Sequence, residues 1–337
     1  MRRTALSIFI LAAAAFARSS DRVDLAWPTP NPAWEQGRPI EAFIQPTGSG
    51  DPKSGCYGGV RDGGLQFHEG IDIKATARDR HGEPKDPVFA ALPGVVRHVS
   101  RKAGDSNYGR YIVIEHPDVT PAVYTLYAHL ASVAPAIAEG VRVERGQTIG
   151  VMGHSSNGSI PRDRAHLHFE IGLLMTRDFQ TWYIARGFGS PNDHGIWNGM
   201  NLMGFDPLDF FDRWRERKID NVQDYFKTMH AQVRLRIATH KIPDFIQRYP
   251  SLLRAPMPMG LVGGWEIECD WTGIPFAWWP LTPAEVAGMT PNHVDILEVD
   301  RASAVKHRAK VLVRARGSGY APGRDLEIVL QQLFGLR

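Results

Sequence analysis

Five side chains of this sequence could do metal chemistry. In His166-Leu167-His168-Phe169-Glu170-Ile171 two histidines lie one residue apart in a run that alternates polar and apolar. Side chains two apart on a strand share a face, so His166 and His168 project together while Leu167, Phe169 and Ile171 enter a core. Two imidazoles on a rigid strand make half of a metal site. A second candidate half is Phe67-His68-Glu69-Gly70-Ile71-Asp72-Ile73. If one strand runs back through His68, then His68, Gly70 and Asp72 share a face, and the missing side chain of Gly70 leaves a gap for an ion. Tyr124-Thr125-Leu126-Tyr127-Ala128-His129 adds a fifth candidate at a strand end. A catalytic zinc commonly takes three His or carboxylate ligands and keeps a position open for water. Five candidates exceed three, and surplus histidines suit acid–base work.

These residues must be carried by rigid elements, and the flanking sequence supplies strands. Val88 to Ala91, Val95 to Val99, Tyr111 to Glu115, Val123 to His129 and Thr148 to Met152 are short β-rich runs divided by Gly and Pro turns such as Pro93-Gly94. The pattern predicts an antiparallel, mainly β core. Before it, residues 18–64 read as an irregular lead-in with one short strand at Ala42 to Ile44. After it, 172–205 reads as a loop-rich excursion that would wall the active site and carry specificity. Val222, Phe226, Met229, Val233 and Ile237 recur at helical spacing. Asp244 to Tyr249 predicts a short helix, Val311 to Ala315 a strand, and Arg324 to Phe334 a terminal helix with Leu326, Val329, Leu330 and Leu333 on one face.

HEGID, YAHL and HLHFE, in this order, resemble the lysostaphin/LytM-type zinc metallopeptidases, the peptidoglycan endopeptidases. The resemblance extends through Pro87 to Val96, Tyr108 to His116 and Gly146 to Gly150, covers about residues 65–175, and has Asp206-Pro207 as its exit. It implies the antiparallel β-sheet catalytic domain of that family (duplicated-hybrid-motif-like); the helix and strand signals beyond it predict a smaller α+β C-terminal region. It implies one Zn2+ held by His68, Asp72 and His168, with His129 and His166 as the catalytic histidines. The implied activity is hydrolysis of peptide bonds in peptidoglycan stems or cross-links by zinc-activated water. Of the other histidines only His154, just ahead of the site, stays a candidate. The expected divisions are a signal peptide at 1–17, the lead-in at 18–64, the zinc metallopeptidase domain at 65–212, and a C-terminal region at 213–337 of unknown role.

Composition narrows the alternatives. The 337 residues are 43% hydrophobic and 22% charged, enough for a packed core. Arg2 and Arg3, the apolar run Ala5 to Phe16, and Ala15-Phe16-Ala17 read as an export signal too short to span a bilayer. Its removal lowers the formal charge from +3 to +1, which does not argue for nucleic acid. The expected product is exported, periplasmic or extracellular, with no stable membrane anchor and a peptidoglycan peptide as partner. Cys56 and Cys269 permit either a disulfide or two free thiols. A catalytically silent envelope module of the same fold would be expected to have lost zinc ligands, and all five positions are intact. A biotinyl- or lipoyl-type carrier needs a hairpin-tip lysine, and Met152-Gly153-His154-Ser155 has none. A secreted hydrolase of another peptide remains a third reading.

Overall fold

The computed structural model describes residues 22–336; the expected signal at 1–17 lies outside them. The chain is mainly β, and every ladder between its named strands is antiparallel. In chain order come β1 (Gly58–Arg61), β2 (Gln66–His68), β3 (Ile71–Lys74), β4 (Pro87–Phe89), β5 (Gly94–Ser100) and β6 (Tyr111–His116). Then follow β7 (Val123–Ala128), β8 (Ser132–Val133), β9 (Arg142–Val143), β10 (Thr148–Val151) and β11 (His166–Leu174).

The long strand β11 is the axis of the main sheet. One edge pairs with β7, while the other is shared by β3 along His166 to Phe169 and by β12 (Leu202–Phe205) along Ile171 to Leu174. The sheet continues from β7 through β6 and β5 to β9, and β4, β10 and β8 form a small second sheet. Alternation works as expected on β11. Leu167, Phe169, Ile171 and Leu173 enter the main core, leaving His166, His168 and Glu170 on the other face. That face is apolar elsewhere, where Tyr111, Val113, Leu126 and Trp197 form a second, smaller cluster.

Four readings of the sequence change. His68 and Asp72 do not share a strand, because the chain breaks at Glu69-Gly70 between β2 and β3. A Cβ on Gly70 would lie 2.2 Å from the Phe169 carbonyl oxygen, so the backbone of β11 fills the space expected for an ion. The run at 42–44 is instead a 3-10 turn at Ile40–Ala42, after which Ile44 makes a single bridge to Ile73. Residues 172–205 are more regular than a loop, holding the end of β11, α1 (Phe179–Arg186) and β12. The helical spacing from Val222 to Ile237 divides into α3 (Val222–Lys227), preceded by α2 (Pro207–Arg215), and the strand β13 (Val233–Ala238). Val233, Leu235 and Ile237 are buried at period two, which the period-four count had skipped.

The remaining elements are α4 (Asp244–Arg248), β14 (Gly264–Cys269), β15 (Pro275–Leu281), β16 (Val294–Val299), α5 (Arg301–Lys306), β17 (Val313–Arg316), β18 (Gly319–Pro322) and α6 (Arg324–Phe334). Strands β15, β14, β13 and β16 form a four-stranded sheet. The main hydrophobic core runs from Trp27 and Trp34 of the lead-in, through Phe169 and Phe211, to Trp278 and Leu333. Cys56 and Cys269 are free thiols, with Cys56 half-buried and Cys269 buried.

Candidate active site

The register of two strand pairs builds the site. His168 stands directly across from Asp72 on β3 and from Ala128 on β7, so Asp72 and His168 present their side chains side by side. His68 arrives from the end of β2. Its Nε2 lies 3.0 Å from His168 Nδ1 and 3.1 Å from Asp72 Oδ1, and His168 Nδ1 lies 3.1 Å from the same oxygen. His166, two residues earlier on β11, brings Nε2 to 3.4 Å from Asp72 Oδ1. His129 follows β7, which ends at Ala128 and not at His129 as the sequence suggested. It adopts φ +62°, a left-handed conformation costing on the order of 1 kcal/mol in a non-glycine residue. This turn sets its ring 4.9 Å from that of His166 and 5.7 Å from that of His168. The fold therefore gathers all five predicted residues.

The second nitrogen of each imidazole is tied to an acceptor. His68 Nδ1–H donates to the Cys56 carbonyl at 2.8 Å, His166 Nδ1–H to the Arg164 carbonyl at 2.8 Å, and His129 Nδ1–H to the Ser155 carbonyl at 2.9 Å. His168 Nε2–H donates to Glu170 Oε1 at 2.9 Å. Carbonyl and carboxylate oxygens only accept, so these contacts fix the tautomers. In the neutral tautomers so fixed, the nitrogens left facing the site carry lone pairs. Two of them, with Asp72 Oδ1, form a buried triangle of three acceptors, and His68, Asp72 and His168 are the one such metal-competent group among the described residues. Three convergent acceptors of N, N and O type fit a zinc ion.

The electrostatics agree with that fit. Burial works to raise the Asp72 carboxyl, but His68 and His166 beside it and hydrogen bonds from His168 and His68 outweigh burial and hold it well below the usual carboxylate range. Burial would lower His168, yet hydrogen bonds to Asp72 and Glu170 push it up to about 10. The pocket thus attracts positive charge to His168 Nδ1, where a proton and a metal ion would compete. Burial pushes His129 well down, helped by His166 and His168. Burial also lowers His166 against the pull of Asp72. Both are neutral bases near pH 7.

Sequence reasoning missed the supports. Glu170 is buried and also accepts from Tyr108 Oη at 2.6 Å and Tyr124 Oη at 2.9 Å; its place on the His166–His168 face was the available signal. Arg61, on β1, donates from Nη2 to Asp72 Oδ2 at 2.6 Å, leaving Oδ1 to the histidines. Ser155 carries His129 on its carbonyl and donates from Oγ to the Leu130 carbonyl at 2.8 Å. Gly109, at φ +60°, lets this segment approach, because a Cβ there would lie 2.3 Å from the Ser155 carbonyl. His154 is not brought in; it engages Glu83 at 3.1 Å and the Ile160 carbonyl. The cleft over the cluster measures about 490 Å³. Its walls come from 46–47, 61, 66–69, 107–108, 156, 158–160 and 164, and none of its lining residues belongs to 172–205. That excursion instead backs the wall, with Gly199 against the Tyr108 ring.

Residues 66–178 match the family model of Peptidase family M23. This segment belongs to peptidase family M23. The M23 segment contains all five clustered residues. Among solved structures the chain is similar to a zinc-containing peptidase from Vibrio cholerae, at 30% identity over 31% of this chain and 26% of that one, with a TM-score of 0.24. It is also similar to a putative glycyl-glycine endopeptidase LytM from Ruminococcus gnavus, at 32% identity over 32% and 39%, TM-score 0.26. The catalytic domain of lysostaphin from Staphylococcus simulans aligns at 19% identity over 50% and 89%, TM-score 0.29. The chain thus spans well under half of the first two relatives. No curated protein matches it.

Proposed function

We propose that this chain is an exported zinc metalloendopeptidase that hydrolyses peptide bonds of bacterial peptidoglycan stems or cross-links. The observation that carries the reading is the buried triangle of His68 Nε2, Asp72 Oδ1 and His168 Nδ1, with two further neutral imidazoles beside it. Membership of the segment in the M23 peptidases supports a peptidase, and the peptidoglycan substrate follows the resemblance to lysostaphin-type enzymes.

In this reading His68, Asp72 and His168 hold the ion. Zinc there would supply Lewis acidity, polarising the scissile carbonyl and lowering the pKa of water toward ~7. His129 and His166 present free Nε2 lone pairs on rings anchored through Nδ1. Either can accept the proton of the attacking water, and an imidazole that has taken it can pass it to the leaving amine. An imidazolium so formed would also donate a hydrogen bond to the developing oxyanion. Glu170 orients His168, and Arg61 holds the Asp72 carboxylate in its rotamer.

The test is zinc content measured beside hydrolysis of purified peptidoglycan. His68→Ala and Asp72→Ala are expected to lose both. His129→Ala and His166→Ala are expected to retain zinc while turnover falls about 10²–10⁴-fold. Metal loss in His166→Ala would overturn the division of roles, and an intact, zinc-loaded chain that leaves peptidoglycan uncut would overturn the substrate.

A further inference from the structure

Four charged side chains other than histidine line the cleft: Arg61, Glu69, Asp72 and Arg164. Arg61 and Asp72 are paired to each other. Neighbouring arginines are satisfied too. Arg162 meets Glu83 and the His81 carbonyl, and Arg78 meets the Gly82 and Arg162 carbonyls. Arg164 differs. It is half-buried, and its guanidinium has no acceptor among the described residues; its Nη1 lies beside Gly48, which follows the cleft-lining Pro46 and Thr47, 3.4 Å from where a Cβ would stand. Asp163 next to it lines a neighbouring hollow with Arg78 and Arg162.

We propose that Arg164 is a specificity-determining residue that binds a free carboxylate of the substrate peptide on the His166 side of the scissile bond. A partly desolvated guanidinium with five donors and no acceptor is matched by a carboxylate, which it takes bidentately. The strand register gives the direction. Arg164 precedes His166 at one end of the β3–β11 ladder, whereas Gly70 packs on Phe169 and Glu170, so Glu69 lies toward the other end. An anionic flank is therefore attracted at the Arg164 end and repelled at the Glu69 end. The backbone carbonyl of Arg164 also accepts from His166 Nδ1, so a ligand seated on this arginine lies next to a catalytic imidazole.

The proposal rests on the peptidase reading, and it is tested by binding, which needs no turnover. The probes are three forms of one stem peptide, L-Ala–γ-D-Glu–L-Lys–D-Ala: with both carboxylates free, with the γ-glutamyl α-carboxylate amidated, and with the C-terminus amidated. Calorimetry on the full chain is expected to show the free form bound about 10- to 100-fold more tightly than one of the amidated forms. The weakened form identifies which carboxylate is read. In Arg164→Gln this ratio should collapse toward one, and Arg164→Lys, which keeps the charge but not the fork, should retain part of it. Equal binding of all three peptides, no measurable binding of any, or a preference that Arg164→Gln leaves intact would overturn the proposal. A preference that depends on Arg164 in a chain that does not cut peptidoglycan would uphold the subsite while removing the peptidase.

Discussion

Each imidazole of the cluster has two nitrogens, and the chain commits one of each to an anchor. This division makes the site directional. The backbone carbonyls of Cys56, Arg164 and Ser155 need only the right loop shape, whereas His168 depends on a side chain, Glu170, itself held by two tyrosine hydroxyls. A carboxylate partner raises the basicity of a metal-binding imidazole as well as aiming it. Glu170→Gln is therefore expected to weaken zinc binding about 10- to 100-fold without abolishing it, measured by competition with a chelator. Unchanged affinity would show that the Glu170 carboxylate does not tune the site. The sequence displayed Glu170 in plain view, two residues from His168, yet only the fold reveals that its carboxylate turns back onto the ring.

The elements matter through how closely they approach. Gly70 allows the β2–β3 break to lie against β11, with its absent Cβ 2.2 Å from a carbonyl oxygen. Gly70→Ala is expected to push the strands apart, at a cost of about 1–3 kcal/mol, and to weaken zinc binding with it. The checks are a denaturant midpoint and a zinc titration, and no change in either would contradict so tight an approach. At the exit of the sheet, Asp206 caps α2, accepting from Leu208 N at 2.9 Å and Asp209 N at 3.2 Å. Burial raises its carboxyl to about 7, against the pull of those hydrogen bonds. The folded value exceeds the ordinary 3.8, so its contribution is full below that pH and is lost as pH rises through about 7. Asp206→Asn keeps an acceptor without the charge and should remove this loss. The difference is on the order of 1 kcal/mol, because Asp206 remains partly open to water. Thermal denaturation of both proteins at pH 5 and pH 8 measures it, and parallel pH dependence would refute it.

At the scale of the molecule, the C-terminal region is bound to β11 and the segments that follow it. Tyr249 Oη accepts from Leu174 N at 3.1 Å, Arg248 donates to the Met175 carbonyl at 3.1 Å, and Gln332 donates to the Met200 carbonyl at 2.8 Å. Asp244 accepts from Thr176 and Arg177, each at 3.0 Å. With one core reaching from Trp27 to Leu333, the full chain is expected to unfold in a single calorimetric transition. A chain truncated at residue 212 would expose apolar surface and should aggregate or be readily proteolysed. Two separable transitions would speak for independent units.

The sequence by itself singled out the five residues that the fold brings together, and the class of fold. Alternation on β11 and the β-rich runs before it are local signals, set by which side chains leave water and by a backbone period of two. Five chemically distinctive residues at short spacings could be read without knowing where the strands go. Helix α6 was equally legible, from one apolar face bounded by glycines. Only the tertiary structure decided what depends on distant pairing. His68 and Asp72 converge on His168 of β11 from two separate strands and not along one, and Val233 to Ile237 became a strand because β14 and β16 flank it. Likewise Arg61 and Arg164, unremarked as letters, acquired opposite standings, one paired with Asp72 and the other left open on the cleft. Such contacts join residues many positions apart, and no local period records them.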